Sequence, residues 1–206
     1  MKKFIINILI FCGIVAVVDV AAGRFFWYLQ SIEAGGRSGD EYYVCKESKE
    51  DVLIMGSSRA LHHYVSSLFL DSLGMSCFNG GQDGNGIVMQ YGRWKMISKR
   101  HVPKLVIYDV EPIFDYGMND NTRYIDRLKP FAGDKEVKQY ITGLYPLEDL
   151  KLFSHLYRYN YKFLEIASDC LNKGNGEGGY KPLYGHIRRE MVEADAPDKT
   201  NSEVQI

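Results

Sequence analysis

Three short, largely apolar runs separated by two stretches of helical spacing restrict this chain more than any other feature of its sequence. Asp51-Val-Leu-Ile-Met55 is the first, and an apolar run this short, without polar alternation, marks a strand buried on both faces. Residues 58–73 carry Leu61, Tyr64, Val65, Leu68 and Phe69 at helical spacing, and Gly74 is placed to cap that helix. Met75-Ser-Cys-Phe78 predicts a second strand, 80–86 a glycine-rich turn and 87–100 a second helix. Lys104-Leu-Val-Ile-Tyr108 predicts a third strand, ending at Asp109. Strand, turn and helix in this repeated order call for parallel strands with right-handed crossovers, an α/β fold of three layers. Ligands bind such sheets beyond the carboxyl ends of the strands. Two Gly/Ser turns, 56–59 and 80–86, fall there, as does the segment 109–111.

Beyond Phe114 the pattern changes. Residues 133–142 and 147–172 read as helices, the second rich in Tyr and Phe, and 173–179 as a Gly/Asn loop. Residues 194–206 form a polar tail with one proline. No fourth or fifth strand is legible, so the sheet is expected to be small.

The N-terminus is a targeting segment. Lys2 and Lys3 precede an uncharged apolar run over 4–18 that Asp19 ends. Two readings stay open. Small residues in Val20-Ala-Ala22, before Gly23, fit a signal peptide that is removed. An uncleaved anchor would instead place Arg24 and the belt Phe25-Phe26-Trp27-Tyr28 at the outer interface. Lys2 and Lys3 set the N-terminus in the cytoplasm and the rest outside it. The chain divides into an anchor or signal at 1–28, a polar Gly-containing tether at 29–50, an α/β domain at 51–193 and the tail. With 46% hydrophobic and 25% charged residues in 206, that domain can bury a real core, and a formal net charge of -1 argues against a nucleic-acid partner. Cys12 lies in the apolar run behind the bulky Phe11, which does not fit a lipoprotein cleavage site. Cys45, Cys77 and Cys170 lack the paired spacing of a zinc site, and Cys77 reads as a small apolar strand residue.

The chemistry-bearing candidate is Ser58. A serine on the sharp turn between a buried strand and a helix projects from the sheet edge, beside helix N–H groups that can hold an oxyanion. Ser57 or Ser58 could equally serve as an N-cap. Ile54-Met-Gly-Ser-Ser-Arg59, followed by Asn79-Gly-Gly-Gln-Asp-Gly84, resembles the first two blocks of the SGNH (GDSL-type) hydrolase family. The resemblance covers about 51–115. It implies Ser58 as nucleophile, with Ser57 in the place of the family's aspartate, and Gly84 as an oxyanion-hole donor. The Gly-Ser-Ser variant occurs in membrane-anchored members of that family that act on cell-envelope polymers. An acyl esterase or acyltransferase in a bacterial cell membrane, working without cofactor or metal on acylated glycans outside the cytoplasm, is therefore the implied function.

Two family blocks have no match. Tyr108-Asp-Val-Glu-Pro112 stands where Gly-x-Asn-Asp is expected, and none of His62, His63, His101, His155 or His186 has an aspartate three residues earlier. A serine without a positioned base is a weak nucleophile. The chain is thus expected to be shortened at its C-terminal end relative to the family, and a non-catalytic, membrane-tethered glycan- or partner-binding domain is the competing reading. His62, four residues after Ser58, shares its helix and so does not readily bring an imidazole to the serine. Asp109 and Glu111, alternate residues at the strand end, read as ion-pairing groups or as polar substrate contacts. Gly84-Asn-Gly86 with Asp109 is a near-miss to a dinucleotide fingerprint, with Met89 in place of the third glycine, and no P-loop lysine is present. Tyr157-Arg-Tyr-Asn-Tyr161 reads as core aromatics, with sugar stacking as the alternative.

Overall fold

The computed structural model describes residues 1–33, 36–117, 124–160, 162–171, 179 and 181. Strands β1 (Val52–Gly56), β2 (Cys77–Asn79) and β3 (Leu105–Asp109) form one parallel sheet in the order β2-β1-β3. Val52 pairs with Cys77 on one side and Leu105 on the other, and Gly56 pairs with Asp109. Central β1 is buried at every position, as its unbroken apolar run requires, whereas edge strand β3 leaves Leu105 and Val106 exposed. Helices α3 (Ser58–His63) and α4 (Ser66–Leu73) cover one face, where Val52, Ile54 and Ala60 pack with Tyr64, Phe69 and Ile107. Helices α2 (Arg37–Lys46) and α5 (Ile87–Arg100) cover the other, where Leu53, Met55, Phe78 and Ile97 meet Val44 and Trp94. The architecture is mixed α/β, with a small parallel sheet and helices on both faces.

The C-terminal half adds α6 (Pro112–Asp115), the 3-10 helix Ile125–Phe131, α7 (Lys135–Leu144), α8 (Glu148–Lys151), the 3-10 helix Tyr157–Tyr159 and α9 (Phe163–Leu171). Leu128, Phe131, Val137, Ile141 and Leu152 pack with Met89 and Met96 of α5 into a second core. Asp134 starts α7 by accepting the Glu136 and Val137 N–H groups at 2.9 and 3.3 Å.

Three expectations need correction. The single helix over 58–73 is divided at Tyr64 and Val65, both extended, because the Asn79 amide donates to Ala60 O (2.7 Å) and Tyr64 O (2.8 Å) and so ends α3. Gly74, with φ +65°, does cap α4. The helix over 147–172 is broken at 154–156, whose polar groups turn to Asp19: Ser154 Oγ donates to it at 2.5 Å, and the His155 and Leu156 N–H groups at 2.7 and 3.1 Å. The stretch 29–50, expected as a tether, holds the last turn of α1 (Lys2–Ile32) and all of α2, with Val44, Cys45 and Glu41 buried. Its polarity misled because the buried charge of Glu41 is matched by Arg93 on α5 (Nε to Oε1, 2.8 Å). Tyr161, His186, Asn172, the loop residues 173–178 and the tail 194–206 lie outside the described residues.

Helix α1 (Lys2–Ile32) is continuous, and it is long and apolar enough to cross a membrane. Its apolar part stands clear of the domain, but its C-terminal turns are docked. Gly23, just after the alternative cleavage point, is buried so closely under His155 that a Cβ there would lie 2.4 Å from His155 Cβ. Only part of the aromatic belt faces outward: Phe26 stacks on Tyr159 and Trp27 meets Tyr42 and Phe131 edge-on, while Phe25 and Tyr28 are exposed.

Candidate functional site

Glycine is required where β1 ends. Gly56 has φ +146°, and a Cβ there would sit 2.8 Å from Asp109 O and 2.9 Å from Ala60 Cβ, so the turn passes directly beneath β3. Ser57 then takes the N-cap position of α3 in extended conformation, yet its side chain makes no capping hydrogen bond, and its Oγ is buried without a partner. Ser58 opens α3 and is half-buried. The buried seryl group at this turn is therefore Ser57, and Ser58 is the one that solvent or a ligand can approach.

Arg59, exposed beside it, ties down both acidic candidates. Its Nε donates to Asp109 Oδ1 at 2.7 Å, its Nη2 donates to the same oxygen and to Val110 O (2.6 Å), and its Nη1 lies 3.6 Å from Glu111 Oε2. Burial by itself would raise the Asp109 carboxyl, but hydrogen bonds from Arg59 and Tyr64 outweigh it and hold the group below the ordinary carboxylate range. Asp109 is thus an ionised acceptor engaged by Arg59 and Tyr64. Such a group is a poor proton acceptor for a serine.

The second turn closes over the first. Gln82 N–H and the Gln90 amide both donate to Gly56 O, at 3.1 and 2.7 Å. Gly81 lies against α3, where a Cβ would stand 2.5 Å from Leu61 N. Gly84 is left-handed at φ +70°, and the Tyr124 ring covers it so closely that a Cβ would be 2.4 Å from Cε2. The third turn is bound in by Asp115, which the sequence reading missed. Asp115 accepts from Ile87 N–H at the start of α5 (2.7 Å), from Glu111 N–H (2.7 Å) and from Tyr108 OH (2.5 Å). Its only signal in sequence is its place three residues after Pro112, where it falls in the first turn of a short helix. The segments after all three strands accordingly meet at one sheet edge.

The structure also supplies an acid–histidine pair that spacing did not reveal. His62 Nε2 is 3.0 Å from Asp83 Oδ1, and His62 Nδ1 is 2.5 Å from Lys181 O. Both ring nitrogens are thus taken up by protein oxygens, one a carboxylate and the other a backbone carbonyl. The pair lines a cavity of about 240 Å³ beside Arg37, Asp40, Arg93 and Lys181. Its charges are mutually matched: Arg37 also binds Asp83 (3.1 Å), Lys181 binds Asp40 (2.7 Å) and Arg93 binds Glu41. His63 Nδ1 donates to Arg59 O at 2.9 Å. His101 is fixed to Glu50 O (3.0 Å) at the amino end of β1, away from the turns, and His155 is packed on Gly23 of α1.

Comparison with protein-family models, with curated proteins and with solved structures yields no match, so the assignment of this edge rests on its own geometry.

Proposed function

We propose that this chain is a membrane-tethered domain of the SGNH hydrolase type, held by α1 outside the cytoplasm of a bacterial cell. Its Ser58 edge engages acylated envelope glycans, and its ester chemistry is impaired. The carrying observation is His62, whose ring nitrogens are directed at Asp83 and at Lys181 O rather than held ready for a nucleophile. The accessible serine at the carboxyl end of the central parallel strand supports the family reading, and Gly56 beneath β3 is the kind of turn that reading needs. The Arg59 clamp on Asp109 favours binding over proton transfer for the same edge.

Loss of the base from a serine triad leaves only oxyanion and binding contributions, a deficit of roughly 10⁴- to 10⁶-fold. Turnover of a chromogenic acetate ester by the full chain in detergent should therefore be near background, and Ser58→Ala should not change it. Brisk turnover that Ser58→Ala abolishes would overturn the impaired reading. Retention on an acetylated glycan polymer, weakened by alkaline deacylation of the polymer or by Ser58→Trp, tests the ligand class. Equal retention in all three cases would exclude it.

A further inference from the structure

We infer that the face built by 153–160 and 162–164 lies in the membrane interface and takes lipid into the groove beside α1; the inference rests on the reading of α1 as a membrane span. The first observation is a shortfall in length. At ~1.5 Å per residue, the apolar run over 4–18 is about 22 Å long, against a hydrocarbon core of ~30 Å. Closing that gap draws roughly five more residues, Asp19 to Gly23, to the outer hydrocarbon boundary. A carboxylate is costly at that depth unless its hydrogen bonds are supplied by protein. Asp19 has that supply, from Ser154 Oγ and the His155 and Leu156 N–H groups.

The second observation is what those contacts carry with them. Because Ser154 to Leu156 are bound to Asp19 and His155 packs on Gly23, the flanking residues share its depth. These are apolar and uncovered: Phe153 is 69% exposed, Leu156 40%, Phe163 44% and Leu164 70%. Between them and α1 opens a groove of about 470 Å³ lined by Phe26, Leu156, Tyr157, Tyr159 and Phe163 together with the polar Ser154 and Asn160. Aromatic rings with a polar tip beside aliphatic side chains are the composition that a headgroup–acyl boundary selects. Arg24, exposed one residue past Gly23, is placed to meet lipid phosphate. The patch is thus continuous with the membrane-facing surface of α1, and its occupant is the bilayer itself. The domain is held against the membrane and does not swing on a flexible stalk.

The test uses the full chain in phosphatidylethanolamine–phosphatidylglycerol vesicles, with photoreactive p-benzoylphenylalanine in place of Phe163, of Phe11 in the apolar run, or of Leu70, which is exposed on α4. Illumination should raise the chain mass by one phospholipid at positions 163 and 11 and leave position 70 unshifted. A lipid adduct at 11 with none at 163 would overturn the interfacial face while leaving α1 in the membrane. No adduct at 11 would remove both readings. A covalent dimer at 163 would overturn it in favour of a second copy of the chain as the cover.

Discussion

Replacing Glu41 with glutamine should be among the most damaging single changes in the domain, and more damaging than removing its partner Arg93. Glu41, Arg93, Arg127 and Lys162 are all essentially inaccessible to solvent. Glu41 binds Arg93 through both carboxylate oxygens, while Arg127 Nε and Lys162 Nζ are buried without hydrogen-bond partners. Glu41 is the carboxylate that bears on all three cations, with Glu165 adding to it at Arg127 and Lys162 and Asp40 at Arg93. Burial opposes its charge, yet Arg93 first, and Lys162 and Arg127 after it, hold the Glu41 carboxyl below the ordinary 4.5. Breaking a buried pair leaves an uncompensated charge and costs about 3–5 kcal/mol. Measured against a total stability of ~5–15 kcal/mol, that is a large share. For a domain of this size it corresponds to a midpoint lowered by about 6–20 °C. Arg93→Met removes a cation and leaves Glu41 facing two others, so it should cost less than Glu41→Gln. The deficit of Glu41→Gln should also shrink at alkaline pH. Burial pushes the Lys162 ammonium below 10.5, so the unfolded chain binds the extra proton between the folded value and 10.5, and stability rises with pH across that window. Losing Glu41 lowers Lys162 further and widens the window. The assay is thermal unfolding of the full chain by circular dichroism, from neutral to alkaline pH. A midpoint change under about 3 °C, roughly 1 kcal/mol, would refute the charge balance described here. So would a larger loss for Arg93→Met than for Glu41→Gln.

Gly23→Leu places side-chain carbon where His155 already stands, so it should lift 154–156 from α1 at a cost of about 1–3 kcal/mol, read as faster proteolytic cutting within 152–160. Arg59→Gln should shift acid unfolding upward in pH. The lowered Asp109 carboxyl contributes stability that is present above 3.8 and lost as pH falls through its folded value, and without Arg59 that loss comes earlier; an unchanged acid midpoint by tryptophan fluorescence would count against the clamp.

The sheet was legible because each strand is specified locally: β1 in particular is an apolar run with no alternative but double-sided burial. The convergence of its turns followed from parallel topology. What sequence could not show were contacts between distant polar residues. Glu41 reads as a solvated tether position until Arg93 is placed against it, and the His62–Asp83 pair spans a fold-dependent gap that no motif spacing encodes. The aromatic stretch after Leu147 has helical periodicity throughout, and its break at 154–156 is imposed by a carboxylate more than a hundred residues earlier. Ser58 was found from its turn, but the division of labour between buried Ser57 and accessible Ser58 required the backbone.

That carboxylate also imposes an order on synthesis. Asp19 leaves the ribosome 135 residues ahead of Ser154, its first hydrogen-bond donor. At ~5–20 residues per second, the nascent helix waits roughly 7–27 s with this charge unmet. Throughout that interval the segment is less apolar in effect than in its finished state, since a hydrated carboxylate resists being drawn toward lipid. On the membrane reading of α1 proposed above, its seating at full depth is therefore a late event, completed when 154–156 emerge and close over Asp19.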